Sequence, residues 1–214
     1  MYVCWSAKGG VGTTVVAASL ALVLARTRAA LLVDLRGDSP AALGLPDHSG
    51  PGVADWLGSP DADADALQRL AVPATDTLQL LPLGVAPVPP TDSALVQWQR
   101  LADALGRLDR AVVIDAGTGV PPAPLVRTAD ESLLVTRPCY LALRHAVALS
   151  ARPTGIIVLH EPGRALQAID IERAIGAPVV AELPFDPVVA RSVDAGLLAS
   201  RLPRSVAHPL REAV

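Results

Sequence analysis

Lysine is almost missing from this sequence: 17 of its 18 basic residues are arginine, and the single lysine is Lys8. That one ammonium sits inside a run of glycines, where a compact point charge suits an anion site better than chance placement does. Cysteine is nearly as scarce. Cys4 and Cys139 are far apart and match no metal or redox spacing, so each is expected to be a small core residue in a reducing, cytoplasmic setting. No apolar run is long enough to cross a membrane. The longest, Val15 to Ala25, has 11 residues, and glycines rather than a basic segment precede it, whereas a span needs about 20 residues and an export signal needs a positive start. An excess of positive charge is also lacking. A net charge of -3 provides no field for nucleic-acid binding driven by counterion release, which leaves Arg191, Arg201, Arg204 and Arg211 as the one candidate basic patch. There are no internal repeats.

What the chain does contain is aliphatic: 51% of its 214 residues are apolar, ample for one domain spanning 1–214 with a sheet covered on both faces. Continuous apolar runs at 2–6, 30–34, 111–115, 132–136, 155–159 and 179–183 predict buried parallel strands, with a weaker seventh at 77–81. Between them, 13–25, 92–105, 141–151 and 170–175 predict helices, the second capped by Thr91, Asp92 or Ser93. The alternation implies an α/β fold with a doubly wound, mainly parallel sheet flanked by helices. The stretch from Pro46 to Pro90 is less regular. Its acidic run Asp61, Asp63 and Asp65 predicts the start of a short helix favoured by the helix dipole.

The most informative segment is the turn that leaves the first strand. Lys8-Gly9-Gly10-Val11-Gly12-Thr13-Thr14 joins a strand to a helix, so backbone N–H groups can converge on a phosphate at the helix's positive end. Glycines allow close approach, and the Thr14 hydroxyl is placed to ligate Mg²⁺. Far downstream, Val112-Val113-Ile114-Asp115 is an apolar strand ending in a carboxylate, the arrangement by which P-loop proteins hold Mg²⁺ through water.

These residues carry a resemblance to the ParA/MinD family of P-loop ATPases, extending over nearly the whole chain. The stretch from Ser6 to Thr14 resembles the family's deviant Walker A box, which implies that Lys8 reaches the partner subunit's nucleotide in an ATP-sandwiched homodimer. Leu31 to Asp34 resembles the strand entering switch I, Asp115 to Gly119 resembles switch II, and Ala129 to Val135 the following strand entry. Leu183 to Pro187 resembles the loop near the base. The resemblance thus implies ATP and Mg²⁺ as cofactors, with Lys8, Gly9, Gly10, Val11, Gly12, Thr13 and Thr14 around the phosphates and Pro184, Phe185 and Asp186 near the base. It further implies Thr14 and Asp115 at the metal, and Lys8, Asp34 and Asp38 in catalysis. Gly52 to Leu57 and Leu80 to Pro82 resemble the CpaE/TadZ branch, linked to polar placement of pilus machinery. Relatives there often carry a receiver-like domain, and with the first strand beginning at Tyr2 none is expected here.

The chain departs from the family pattern at three places. Thr13 stands where the ordinary P-loop lysine pairs with phosphate oxygens, a loss of about 1.5–3 kcal/mol, or roughly one to two decades in affinity. Arg36 stands where the family commonly has an aspartate that acts on the attacking water, with Asp38 the nearest substitute. His160-Glu161 stands where the family has its base-reading asparagine, so the contact to adenine that the family makes there is not expected. Binding is therefore expected to outlast hydrolysis. Three functions fit: an ATP-dependent dimeric spatial organiser with a protein partner and weak or absent turnover, a constitutively dimeric pseudo-ATPase that binds no nucleotide, and an active partitioning ATPase. Pro209 in the tail argues against a membrane-anchoring helix, and two distant cysteines cannot build a cluster shared between subunits.

Overall fold

All seven expected strands form, within a residue or so at their ends apart from one extension, because runs of β-branched and aliphatic residues fit a sheet with no wet face. The computed structural model describes residues 1–214. Its first half runs β1 (Tyr2–Ser6), α1 (Thr13–Leu24), β2 (Ala30–Asp34), α2 (Ser39–Leu43), α3 (Val53–Leu57), α4 (Ala64–Arg69), β3 (Val72–Pro73), β4 (Leu78–Leu81) and α5 (Leu95–Gly106). The second half runs β5 (Ala111–Thr118), α6 (Ala123–Thr128), β6 (Glu131–Thr136), α7 (Tyr140–Ala148), β7 (Gly155–Leu159), α8 (Ala168–Ile175), β8 (Val179–Leu183), α9 (Pro187–Asp194) and α10 (Arg204–Glu212).

The strands make one sheet in the order β3-β4-β2-β5-β1-β6-β7-β8. Every neighbouring pair is parallel except β3 and β4, a short antiparallel edge that the sequence did not announce. Residues two apart share a face, and the core divides accordingly. Val3, Trp5, Leu31, Val33, Val112, Ile114, Ile156 and Val158 pack under α3 to α8. Cys4, Leu32, Val113, Leu133, Val135 and Ile157 pack under α1 and α10. α1 lies between the sheet and α10, so nearly all of it is buried. The apolar run that is too short for a membrane is thus the central helix of the fold.

Three local expectations need correction. β5 does not stop at Asp115 but continues to Thr118, and a register shift lets Cys4 face Asp115 while Trp5 faces Gly117. A bulge of this kind re-aims side chains at a strand's end without ending the pairing. α5 begins at Leu95 with Ala94 as its cap, because the Ala94 N–H is held by the Pro90 carbonyl (3.2 Å) and the Trp98 indole donates to that same carbonyl (3.3 Å). The Thr91, Asp92 and Ser93 side chains therefore cap nothing there. Cys139 is a helix cap rather than core packing: its Sγ accepts the Ala142 N–H at 3.4 Å at the start of α7, whereas Cys4 is fully buried and burial pushes its thiol pKa up. Elsewhere the acidic run behaves as read, with Asp63 accepting the Ala66 N–H at 2.7 Å to cap α4. Pro209 sits within α10, whose Val206, Ala207 and Leu210 are buried. No helix is long and apolar enough to cross a membrane.

The segments Gly52–Leu57 and Leu80–Pro82 are neighbours in space. Val53 and Ala54 donate to the Pro82 and Leu83 carbonyls (both 2.9 Å), and Asp55 Oδ2 accepts from the Gly52 and Val85 N–H groups at 2.8 and 3.0 Å. A Cβ on Gly52 would lie 2.2 Å from the Pro82 oxygen, so glycine is required for this contact.

Candidate functional site

In an open parallel sheet, ligands collect beyond the carboxyl ends of the strands where the order switches. Here β5 and β6 flank β1 on opposite sides, which brings the loops after β1, β5 and β6 together. The loop after β1 makes its turn with glycines in the left-handed region, Gly10 at φ 76° and Gly12 at φ 102°. Gly12 caps α1 without any side-chain hydrogen bond, and no acidic residue lies in the helix's first turn. The free N–H groups of that turn therefore face no competing acceptor from the chain's own cap, the condition for binding an anion. Ser6 ties this loop's stem to the end of β5: its hydroxyl donates to the Gly117 carbonyl and meets the Thr118 hydroxyl (both 3.3 Å), while its carbonyl accepts the Gly119 N–H at 2.9 Å.

A cleft of about 250 Å³ opens here. Gly10, Gly12, Thr13 and Thr14 form one wall, Gly117 and Thr118 another, and Arg36 and Asp38, from the loop after β2, a third. Two fully buried carboxylates lie next to each other at the strand ends, Asp34 on β2 paired in register with Asp115 on β5. Their surroundings differ. Asp34 is well partnered, with Oδ1 accepting from the Arg36 and Gly37 N–H groups (2.8 and 2.7 Å) and Oδ2 from Ser39 N–H at 3.0 Å. Asp115 has one bond, Oδ1 to the Gly117 N–H at 3.0 Å, and its Oδ2 is buried with no partner. Burial pushes the Asp115 pKa up to about 6, the nearby Asp34 and Asp38 charges add to the rise, and Thr14 and Gly117 oppose it. Thr14 lies beside this carboxylate without a hydrogen bond of normal geometry to it.

An orphaned carboxylate oxygen beside a hydroxyl suits a hard divalent cation, which takes oxygen ligands and completes its shell with water and phosphate. The donor set of Thr14 and Asp115 is chemically suited to Mg²⁺. No group of three or more His, Cys, Asp or Glu side chains converges elsewhere in a way that could hold a metal.

The structure brings some anticipated residues together and leaves others apart. Gly10, Gly12, Thr13, Thr14 and Asp38 line the cleft; Gly9 and Val11 belong to the loop without lining it. Lys8 is half-buried, lines no part of the cleft and makes no ion pair. Pro184, Phe185 and Asp186 border a separate, mostly aliphatic cavity of about 350 Å³ that opens beside Gly12 and is walled by Val15, Val16, Leu159 and Leu183. Asp186 also caps α9, accepting from Val188 N–H at 2.8 Å and the Ser205 hydroxyl at 2.6 Å; the Ser205 bond is the chief reason its carboxyl is held below the usual range. His160 and Glu182 share a hydrogen bond of 2.7 Å at the cavity's rim.

One residue of the site was missed. Arg137, at the end of β6, donates from Nε to the Val11 carbonyl at 3.3 Å and pairs with Glu161, which also holds Arg164 at 2.6 Å. Arg137 therefore braces the glycine loop against the 350 Å³ cavity. The only signal in the sequence was an arginine at a strand end, informative once β6 is known to lie beside β1.

A glycine loop between first strand and first helix, at the switch point of a parallel sheet with an acidic strand end beside it, defines the P-loop NTPase fold. Solved structures that match it include ParA/MinD ATPases. A ParA family ATPase from Chlorobium tepidum superposes with a TM-score of 0.73 at 22% identity, covering 98% of this chain and 96% of its own. MinD from Aquifex aeolicus, also solved as a MinC:MinD complex, superposes with a TM-score of 0.79 at 20% identity over 99% and 93%. MinD from Pyrococcus horikoshii, solved with Mg-ADP, superposes with a TM-score of 0.73 at 20% identity over 99% and 93%. No protein-family model matches the sequence, and no curated protein matches it. The chain thus has the ParA/MinD fold across nearly its whole length.

Proposed function

We propose that this chain binds Mg²⁺ and ATP in the cleft and uses the bound state, rather than turnover, to switch a homodimer that positions a partner protein. The observation that carries this reading is the uncapped, anion-receptive start of α1 beside the unpartnered Asp115 oxygen. Nucleotide in the fold relatives, as Mg-ADP in the Pyrococcus MinD, and the MinC:MinD complex support the cofactor and the partner class. The loop's N–H groups and Thr13 would receive phosphate, Thr14 and Asp115 would hold the metal, and the aliphatic cavity bordered by Phe185 would take the base. Mg²⁺ there would neutralise phosphate charge. Lys8, without an intramolecular partner, is available to a second subunit's nucleotide.

Slow turnover follows from the third wall of the cleft. Asp34 is fully buried, accepts the Arg36, Gly37 and Ser39 N–H groups and lines no part of the cleft, so it is not placed to orient a water there. Asp38 is the remaining carboxylate, exposed and making no side-chain cap bond to α2. The narrower reading as a CpaE/TadZ-type organiser rests on Gly52–Leu57 and Leu80–Pro82, whose mutual packing accounts for those residues by structure alone.

The dimer is tested by light scattering of wild type and Lys8→Ala with and without Mg²⁺ and ATP. Wild type is expected to pass from monomer to dimer on adding nucleotide, and the variant to stay monomeric while still binding it. A nucleotide-dependent dimer of Lys8→Ala would refute the sandwich role, and a wild-type dimer indifferent to nucleotide would favour a constitutive module.

A further inference from the structure

Removing the P-loop lysine does not leave this cleft without a cation, because Arg36 lines it together with Thr13 and Thr14. We propose that Arg36 is the residue that meets the nucleotide's terminal phosphates, its guanidinium replacing the ammonium that Thr13 lacks. This rests on the nucleotide-binding reading above and adds the residue that makes such binding strong enough to act as a switch.

Three observations support it. The backbone of Arg36 is anchored, since its N–H and that of Gly37 both donate to buried Asp34. Its stem lies across Gly117: a Cβ there would sit 2.4 Å from Arg36 Cγ and Cδ and 2.6 Å from Nε, and Gly117 itself adopts φ 66°. Only glycine at 117 leaves room for this course of the side chain. Finally, the guanidinium is unspent. It makes no ion pair and no hydrogen bond, not even with Asp38 on the same wall. A permanently charged, planar donor set free in a cleft of backbone N–H groups matches phosphate oxygens two at a time.

The placement has a consequence that a lysine on α1 would not have. Because Arg36 belongs to the loop after β2 and rests on the end of β5, a phosphate that engages it draws both segments toward α1. Binding is thereby coupled to the surface these loops present, which is the coupling a switch requires. The same residue removes a carboxylate from the position that would act on water, so tighter holding and slower turnover have one cause.

Affinities of wild type, Arg36→Ala and Thr13→Lys/Arg36→Ala for fluorescent ATP, ADP and AMP analogues with Mg²⁺ test this. Arg36→Ala is expected to weaken ATP about 10–100-fold and AMP little, a difference expected of a charge-assisted phosphate contact. Thr13→Lys in that background is expected to restore most of the ATP affinity, which a merely loosened loop would not allow. Equal affinities of wild type and Arg36→Ala, or equal losses for ATP and AMP without rescue, overturn the role of Arg36 alone. Failure of the wild type to bind any nucleotide overturns the functional reading with it.

Discussion

Asp115→Asn is expected to stabilise the nucleotide-free chain by about 1–3 kcal/mol at pH 8 and to abolish the Mg²⁺ dependence of nucleotide affinity. The Asp115 carboxyl is buried beside Asp34, and its folded pKa of about 6 lies above its ordinary value of 3.8. A raised carboxyl pKa means that the folded chain binds the proton more tightly than the unfolded chain does. Its contribution is therefore most favourable below about pH 4 and is lost as pH rises to about 6, beyond which the full cost of the buried charge applies. A shift of that size corresponds to about 3 kcal/mol. Asparagine removes the charge and keeps the oxygen that accepts the Gly117 N–H, while its amide adds a buried donor that offsets part of the gain. Urea melts at pH 4 and pH 8 read this directly: the variant should match wild type at pH 4 and exceed it at pH 8. Equal destabilisation at both would contradict an uncompensated carboxylate at this position.

Thr13→Lys combined with Arg36→Asp is expected to raise phosphate release at saturating ATP by about 100-fold or more. Catalysis of phosphoryl transfer comes from charge stabilisation and positioning, and removal of single groups of this kind commonly costs two to three decades. Thr13 already lines the cleft, so a lysine there extends toward the phosphates from the first turn of α1. With Arg36 retained, the two cations would compete for one region, and with Thr13 retained, Arg36→Asp would put a further carboxylate beside the phosphates with no side-chain cation lining the cleft. Either single change should therefore yield far less than the pair. Turnover unchanged in a double variant that binds ATP would show that slow hydrolysis originates elsewhere.

What could be read without coordinates followed from local physics. Strands buried on both faces are continuous apolar runs, so Val3, Leu32, Val113 and Ile157 announced themselves, as did the glycines that turn the chain from β1 into α1. The Pro46–Pro90 stretch was harder, because its short helix α3 is held by tertiary contacts such as the Val53 N–H bond to the Pro82 carbonyl and the close Gly52–Pro82 approach. Residues whose meaning depends on strand order were the least legible. Arg137 matters because β6 borders β1, and Asp34 is buried holding its own loop rather than lining the cleft. Arg36 read as a defect in a motif until its course across Gly117 placed it in the cleft.

Equilibrium binding of a fluorescent ATP analogue to the wild-type chain with Mg²⁺, competed with unlabelled ATP, ADP and GTP, tests the central claim most directly. Micromolar or tighter binding that ATP competes best is the expected result; no competable binding at millimolar nucleotide would contradict it and leave a P-loop fold that works without its nucleotide.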